Sequence, residues 1–329
     1  MRAKPLRVMA LLFGAAIVLV ATVIALAVRF GGPAPVVAIE GINAPFRNQD
    51  YSAMPAVQRY TARDGAALAY RHYPSAAAAT PGATTSQRRI VLIHGSSASS
   101  RSMHPMAQAL MAAGYTVDAL DVRGHGDSGT RGQIAYIGQL EDDLGDFMRA
   151  VPYPGPSTLI GFSSGAGFAL RFAASPRAAL FDRYMLLAPF LIQAPSNRPG
   201  GGGWASVGLP RIIALTVLNK IGITAWNGLP VTQFALNAEA KRFLTSSYSY
   251  ALAANFSTHL DYAQDIRRAP SAIQLIVGLE DELMLPERYA PIFASAGKTL
   301  AVTLVPGANH IGLTLNAPAL AAIVAACQD

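Results

Sequence analysis

Hydrophobic and polar positions fall into three regimes along this chain. Residues 8–28 run for twenty-one positions without a charge; as a helix they span about 31 Å, the hydrocarbon thickness of a bilayer. Residues 31–56 are rich in Pro, Gly and Ala and read as a linker. From residue 57 onward the pattern is that of a folded domain. Two strand-like runs flank Asp64-Gly65 in VQRYTARDGAALAYRHYP, which predicts a β-hairpin, and residues 75–88 read as a surface loop. Short apolar runs at 90–93, 116–120, 158–160, 184–187, 274–277 and 300–305 then alternate with helix-length segments around 102–113, 136–150, 164–174, 287–296 and 316–326. Continuously apolar strands separated by helices predict an α/β fold with a mostly parallel sheet covered on both faces.

One interval breaks that rhythm. More than eighty residues separate the fourth apolar strand from the fifth, far beyond an ordinary connection. Section 190–262 holds a glycine run, Trp204, an apolar helix near 210–222, Trp226 and a Tyr/Phe-rich stretch through Phe256. It predicts a helical cap inserted over the sheet. The expected organisation is a transmembrane helix over 1–30, a linker over 31–56, an α/β core from 57–189 and 263–329, and the cap over 190–262.

Composition sharpens this picture. The chain has 329 residues, 52% hydrophobic and only 14% charged, which excludes extensive disorder. The net charge of +7 invites a nucleic-acid reading, but Arg2, Lys4, Arg7 and Arg29 carry four of the charges with no acid before Glu40. The remainder contains no Lys/Arg run, so no phosphate-gripping stripe is expected. The basic flank before the apolar run places the N-terminus in the cytoplasm and the main domain outside it, at the inner membrane and periplasm in a bacterium. Ala25-Leu26-Ala27 offers a signal-peptide cleavage site. The run exceeds the usual ~7–15 residues of a signal h-region, so an uncleaved anchor is the first expectation and secretion after cleavage the second. Cys327 is the single cysteine and cannot form an intrachain disulfide. No Cys/His cluster, Walker loop or G-x-G-x-x-G after a first strand is present, so neither metal nor nucleotide cofactor is expected.

Candidate chemistry centres on STLIGFSSGAGFAL. A strand ends at Gly161, Ser163 sits on the turn, and Gly165 opens a helix, which is the G-x-S-x-G nucleophile elbow in its strand–turn–helix context. A serine hydroxyl needs a base, and six histidines compete. His310, in LVPGANHIGL after the last strand, alone satisfies the chain order Ser, acid, His. The acid comes from GLEDE after the fifth apolar strand, where Asp281 is favoured over Glu280; Asp265 reads as a solvated residue at the cap exit. The HGSS segment at 94–97 follows the first parallel strand, so main-chain N–H groups of Ser96 and Ser164 are the oxyanion candidates, with Ser97 second to Ser96. His94 reads as a loop-fixing residue. The block DALDVRGHGDSGTRGQ, with Asp121, Arg123, His125 and Asp127, reads as scaffolding whose members pair among themselves.

With HGSS, DVRGHGDSG, GFSSG, GLEDE and GANH in this order at strand ends, residues 57–327 resemble the α/β-hydrolase superfamily. RGHGDSG followed by EDDL is similar to its monoacylglycerol lipase/lysophospholipase branch, the serine aminopeptidase-like hydrolases. The resemblance implies Ser163 as nucleophile, Asp281 as acid, His310 as base and Ser96 with Ser164 as oxyanion donors. The apolar cap and bilayer tether suggest a mono-acyl lipid or another medium-chain ester as substrate. Acyl transfer, amide or peptide cleavage, and a non-catalytic binding role are the alternatives on the same fold.

Overall fold

Runs of β-branched and other apolar residues, four to six long, form the centre of the molecule. The structure, a computed structural model, describes residues 3–39, 44–47, 49–75 and 88–328; most of the predicted 75–88 loop lies outside the described residues. Strands β1 (Val57–Thr61), β2 (Ala67–Tyr73), β3 (Arg89–Ile93), β4 (Thr116–Leu120), β5 (Ser157–Phe162) and β6 (Arg183–Leu187) precede the insertion. Within it come β7 (Ala205–Val207), β8 (Pro230–Phe234) and β9 (Ser247–Ser249), and after it β10 (Ile273–Gly278) and β11 (Val302–Val305). The main sheet has the order β1-β2-β4-β3-β5-β6-β10-β11. All neighbours from β4 to β11 pair in parallel, while the β1–β2 hairpin attaches antiparallel to β4.

Every residue of β3 is buried, as the continuous apolar pattern requires of a strand covered on both faces. The exception in chemistry is Arg89. Its guanidinium donates to Asp118 of β4 at 2.7 Å and to the Val151 carbonyl at 2.8 Å, and it lies over the Phe147 ring, so the buried charge is both paired and covered. The helices are α1 (Ala3–Phe30), α2 (His104–Ala112), α3 (Gln139–Ala150), α4 (Ser164–Ala173), α5 (Leu209–Lys220), α6 (Tyr250–Asn255), α7 (Tyr262–Arg268), α8 (Tyr289–Ser295) and α9 (Ala317–Gln328). Around the sheet α2 packs with α9, α7 packs with α4 and α8, and α3 lies against β1.

Two expectations need correction. The insertion is not purely helical: β7, β8 and β9 form a three-stranded antiparallel sheet beside α5 and α6. Strands of three to five residues offer too few alternations for a period of two to stand out from helical spacing. Nor is 31–56 a free linker. Ile39 donates its N–H to the Ala235 carbonyl, Gly31 accepts from the Arg211 N–H, and Phe46 and Tyr51 are half-buried against the body. The small residues of this segment allow close approach of the backbone to the cap.

Candidate active site

The turn between β5 and α4 sets the centre of the site. Ser163 adopts φ +54°, ψ −119°, a left-handed conformation that side chains rarely take and that throws its hydroxyl above the sheet edge. Crowding explains the flanking glycines. A Cβ at 161 would meet the Gly165 carbonyl oxygen at 2.3 Å, and one at 165 would meet the His94 carbonyl oxygen at 2.3 Å. The strained residue is held from both sides: Ser163 donates its N–H to the Leu187 carbonyl, and its own carbonyl accepts from Ala166, Gly167 and Phe190.

Three side chains far apart in sequence meet at this turn. His310 Nε2 lies 3.0 Å from Ser163 Oγ, and His310 Nδ1 lies 2.7 Å from Asp281 Oδ2, all three residues being buried. Asp281 Oδ1 accepts the N–H groups of Leu283 and Met284 at 2.8 and 2.7 Å. Burial pushes the Asp281 carboxyl up, but the adjacent imidazole and those two N–H groups hold it below the ordinary carboxylate value. An ionised Asp281 fixes the Nδ1–H tautomer and leaves Nε2 to accept the serine proton. Glu280, the other acid weighed from sequence, is exposed. Glu282, whose role was not read from sequence, accepts the His310 N–H at 2.8 Å and so holds the histidine loop.

The N–H groups read from sequence as oxyanion donors differ in what they bond. Among the described residues neither the Ser96 nor the Ser164 N–H donates to a protein acceptor, whereas the Ser97 N–H donates to Tyr248 Oη at 2.5 Å. Ser97 is therefore engaged elsewhere. The Tyr248 hydroxyl in turn donates to His125 Nε2 at 2.6 Å, with His125 Nδ1 3.2 Å from the Val122 carbonyl. The Val122 N–H donates to His94 Nε2, and His94 Nδ1 faces the Gly95 carbonyl at 2.8 Å. Two buried imidazoles and one cap tyrosine thus close a hydrogen-bonded ring around the loop that carries Ser96. Burial pushes both imidazoles below their ordinary pKa, His125 further because His94 stands beside it. Neither is hydrogen-bonded to Ser163 Oγ, whose imidazole partner is His310.

Above the triad lies a cavity of about 320 Å³, within the range of ligand pockets. Ser163 and His310 open into it, and Phe46, Tyr51, Met103, Trp204, Phe243 and Leu283 give it apolar walls. Trp204 Nε1 donates to Ser96 Oγ at 2.9 Å, placing the indole over the oxyanion loop. Among the described residues no group of His, Cys, Asp and Glu could hold a metal ion.

A family model, Hydrolase_4 (serine aminopeptidase, S33), matches residues 84–314. The chain belongs to that family. Its fold recurs in solved structures. A soluble variant of monoglyceride lipase from Saccharomyces cerevisiae is 18% identical, with a TM-score of 0.60 over 84% of this chain and 94% of that one. The monoacylglycerol lipase of Paleococcus ferrophilus is 18% identical, with a TM-score of 0.55 over 79% and 99%. A membrane phospholipase A described as a bacterial virulence factor is 18% identical, with a TM-score of 0.56 over 100% of this chain and 98% of that one. This serine hydrolase shares its fold with those proteins.

The hydrolase departs from the sequence reading at two further places. Asp265 is not a solvated cap-exit residue: it is buried, and its oxygens accept the His259 N–H and face His259 Nδ1 at 2.7 Å. The scaffolding block pairs outward more than inward. Arg123 forks onto Asp143 at 2.7 Å and reaches Asp64, while Asp121 accepts the N–H groups of Ser100 and Asp127. Tyr248 sits in no motif, and Glu282, though it closes GLEDE, has no local mark of its role; each accepts a backbone N–H brought near only by the fold.

Proposed function

We propose that this hydrolase cleaves carboxylic esters through an acyl-enzyme, with a mono-acyl lipid or a medium-chain ester as substrate. The observation that carries the reading is the Asp281–His310–Ser163 chain, at 2.7 and 3.0 Å, opening into an apolar cavity. His310 Nε2 takes the hydroxyl proton as Ser163 Oγ attacks the acyl carbon, and the N–H groups of Ser96 and Ser164 receive the charge on the carbonyl oxygen. His310 then protonates the departing alcohol, and water repeats the sequence in reverse to free the acid. Apolar walls suit an acyl chain, and the lipase names of two structural relatives support a lipid ester. Helix α1, whose Leu11–Phe30 window has mean hydropathy 2.9, anchors the protein with its catalytic domain outside the cytoplasm. Replacing Ser163 by Ala should abolish hydrolysis of a p-nitrophenyl ester while leaving the far-ultraviolet circular dichroism unchanged; undiminished turnover would remove the assignment.

A further inference from the structure

Helix α1 ends in a built joint with the cap. Ile24 and Val28 pack with Leu215, Leu218, Val231 and Tyr250. The Arg211 guanidinium donates to the carbonyls of Val28 at 2.8 Å, Arg29 at 3.1 Å and Pro230 at 2.7 Å, and its N–H donates to Gly31. The first two are carbonyls that a helix C-terminus leaves unpaired. Backbones meet there as well: a Cβ on Gly208 would lie 2.6 Å from the Gly31 carbonyl oxygen. Cap helix α5 therefore begins where α1 ends and lies against its final turns.

This contact fixes a depth. Ile24 is six residues, about 9 Å, short of Phe30 at the end of the spanning window. Whatever covers Ile24 shares the level of Ile24 in the bilayer. The side of α5 turned away from the cap has the composition that such a position demands. Leu209, Ile213, Val217 and Ile221 recur at four-residue spacing and are 53%, 56%, 42% and 68% exposed, with Trp226 beyond them at 47%. No acidic residue occurs between Asp182 and Glu239. On α5 itself the cations are Arg211, buried in the joint, and Lys220 at the end. An apolar stripe of this size on a water-facing helix would be a liability.

We propose that α5 is a partly submerged membrane helix, its Leu209–Ile221 stripe lying among the acyl chains of the leaflet in which α1 ends. This rests on the membrane-spanning reading of α1 given above. The anchor and the cap are then one membrane-bound unit, and the cap is held at a set depth by the Arg211 joint rather than hanging from a tether. Continuity with α1 selects lipid as the occupant of the stripe over a second copy of the chain.

The test uses the full-length chain with Cys327→Ser and single cysteines introduced as Ile17→Cys, Ile213→Cys, Val217→Cys and, on the exposed edge strand β11, Leu304→Cys. Each is labelled with an environment-sensitive fluorophore and reconstituted into phosphatidylcholine/phosphatidylglycerol vesicles with or without lipids brominated along the acyl chains. Strong quenching at 17, 213 and 217 with none at 304 is the expected result. Quenching at 17 with 213 and 217 behaving like 304 would overturn the inference and leave the anchor standing. Blue-shifted but unquenched emission at 213 and 217 would overturn it in favour of a second copy on the stripe. Absence of quenching at 17 would overturn the anchor reading and this inference together. None of these readouts depends on turnover, so each is separable from failure of the esterase reading.

Discussion

At the scale of single residues, the site is a set of conflicts settled by neighbours. Ser163 holds a costly backbone conformation because β5, α4 and the Phe190 N–H fix it on three sides. Asp281 keeps its charge in a buried position because two N–H groups and an imidazole outweigh its lost hydration. Asp281→Asn should lower kcat by a factor of ~10⁴, since the imidazole would lose the partner that fixes its tautomer. Glu280→Gln should leave kcat within about twofold, the carboxylate being exposed. Steady-state kinetics on one soluble ester checks both, and equal losses would reverse the assignment. The sequence carried Ser163, His310 and Asp281 because glycine spacing, chain order and strand ends are local marks. It did not carry Glu282, whose carboxylate reaches the His310 N–H across 28 positions, or the partnering of Asp265, because such pairings exist only once loops are folded.

At the scale of elements, the cap and the catalytic loop are one hydrogen-bonded assembly. Tyr248 on β9 accepts from Ser97 and donates to His125, and Thr245 exchanges bonds with Ser97 through its N–H and carbonyl. Movement of β9 would therefore move the loop bearing Ser96. Tyr248→Phe strands a buried N–H and a buried imidazole nitrogen, at about 1–3 kcal/mol. Tyr248→Phe should reduce kcat roughly tenfold with little change in KM, a loss of about 1.4 kcal/mol in transition-state stabilisation. An unchanged kcat would show that the loop keeps its shape without the cap. The parallel strands were legible to within two residues at either end. Burial on both faces leaves continuous apolar runs in the inner ones, and edge strand β11 is apolar in its own sequence despite exposure. The cap sheet was not legible, since three-residue strands such as β7 and β9 take their conformation from β8, with which both pair, and not from local pattern.

At the scale of the whole molecule, stability depends on pH through two buried histidines. His94 and His125 are held neutral when folded, while in the unfolded chain they protonate near the ordinary value of 6.5. Unfolding therefore takes up protons below that pH, and stability must fall as pH drops, by up to about 1.4 kcal/mol per pH unit for each histidine. Melting temperatures recorded from pH 7.5 to 5.5 should decline steadily, and the decline should shrink in His125→Gln; a flat or rising profile would contradict the buried neutral pair. Sequence disclosed a membrane-length helix and a folded body, but the joint between them depends on Arg211, whose function as a cap for another helix has no local signature. The most direct test of the whole account is the position of covalent capture by a fluorophosphonate. Peptide mass spectrometry should find the adduct on Ser163 in the native protein and almost none after His310→Ala, whereas labelling that ignores the loss of His310, or that falls on another serine, would contradict it.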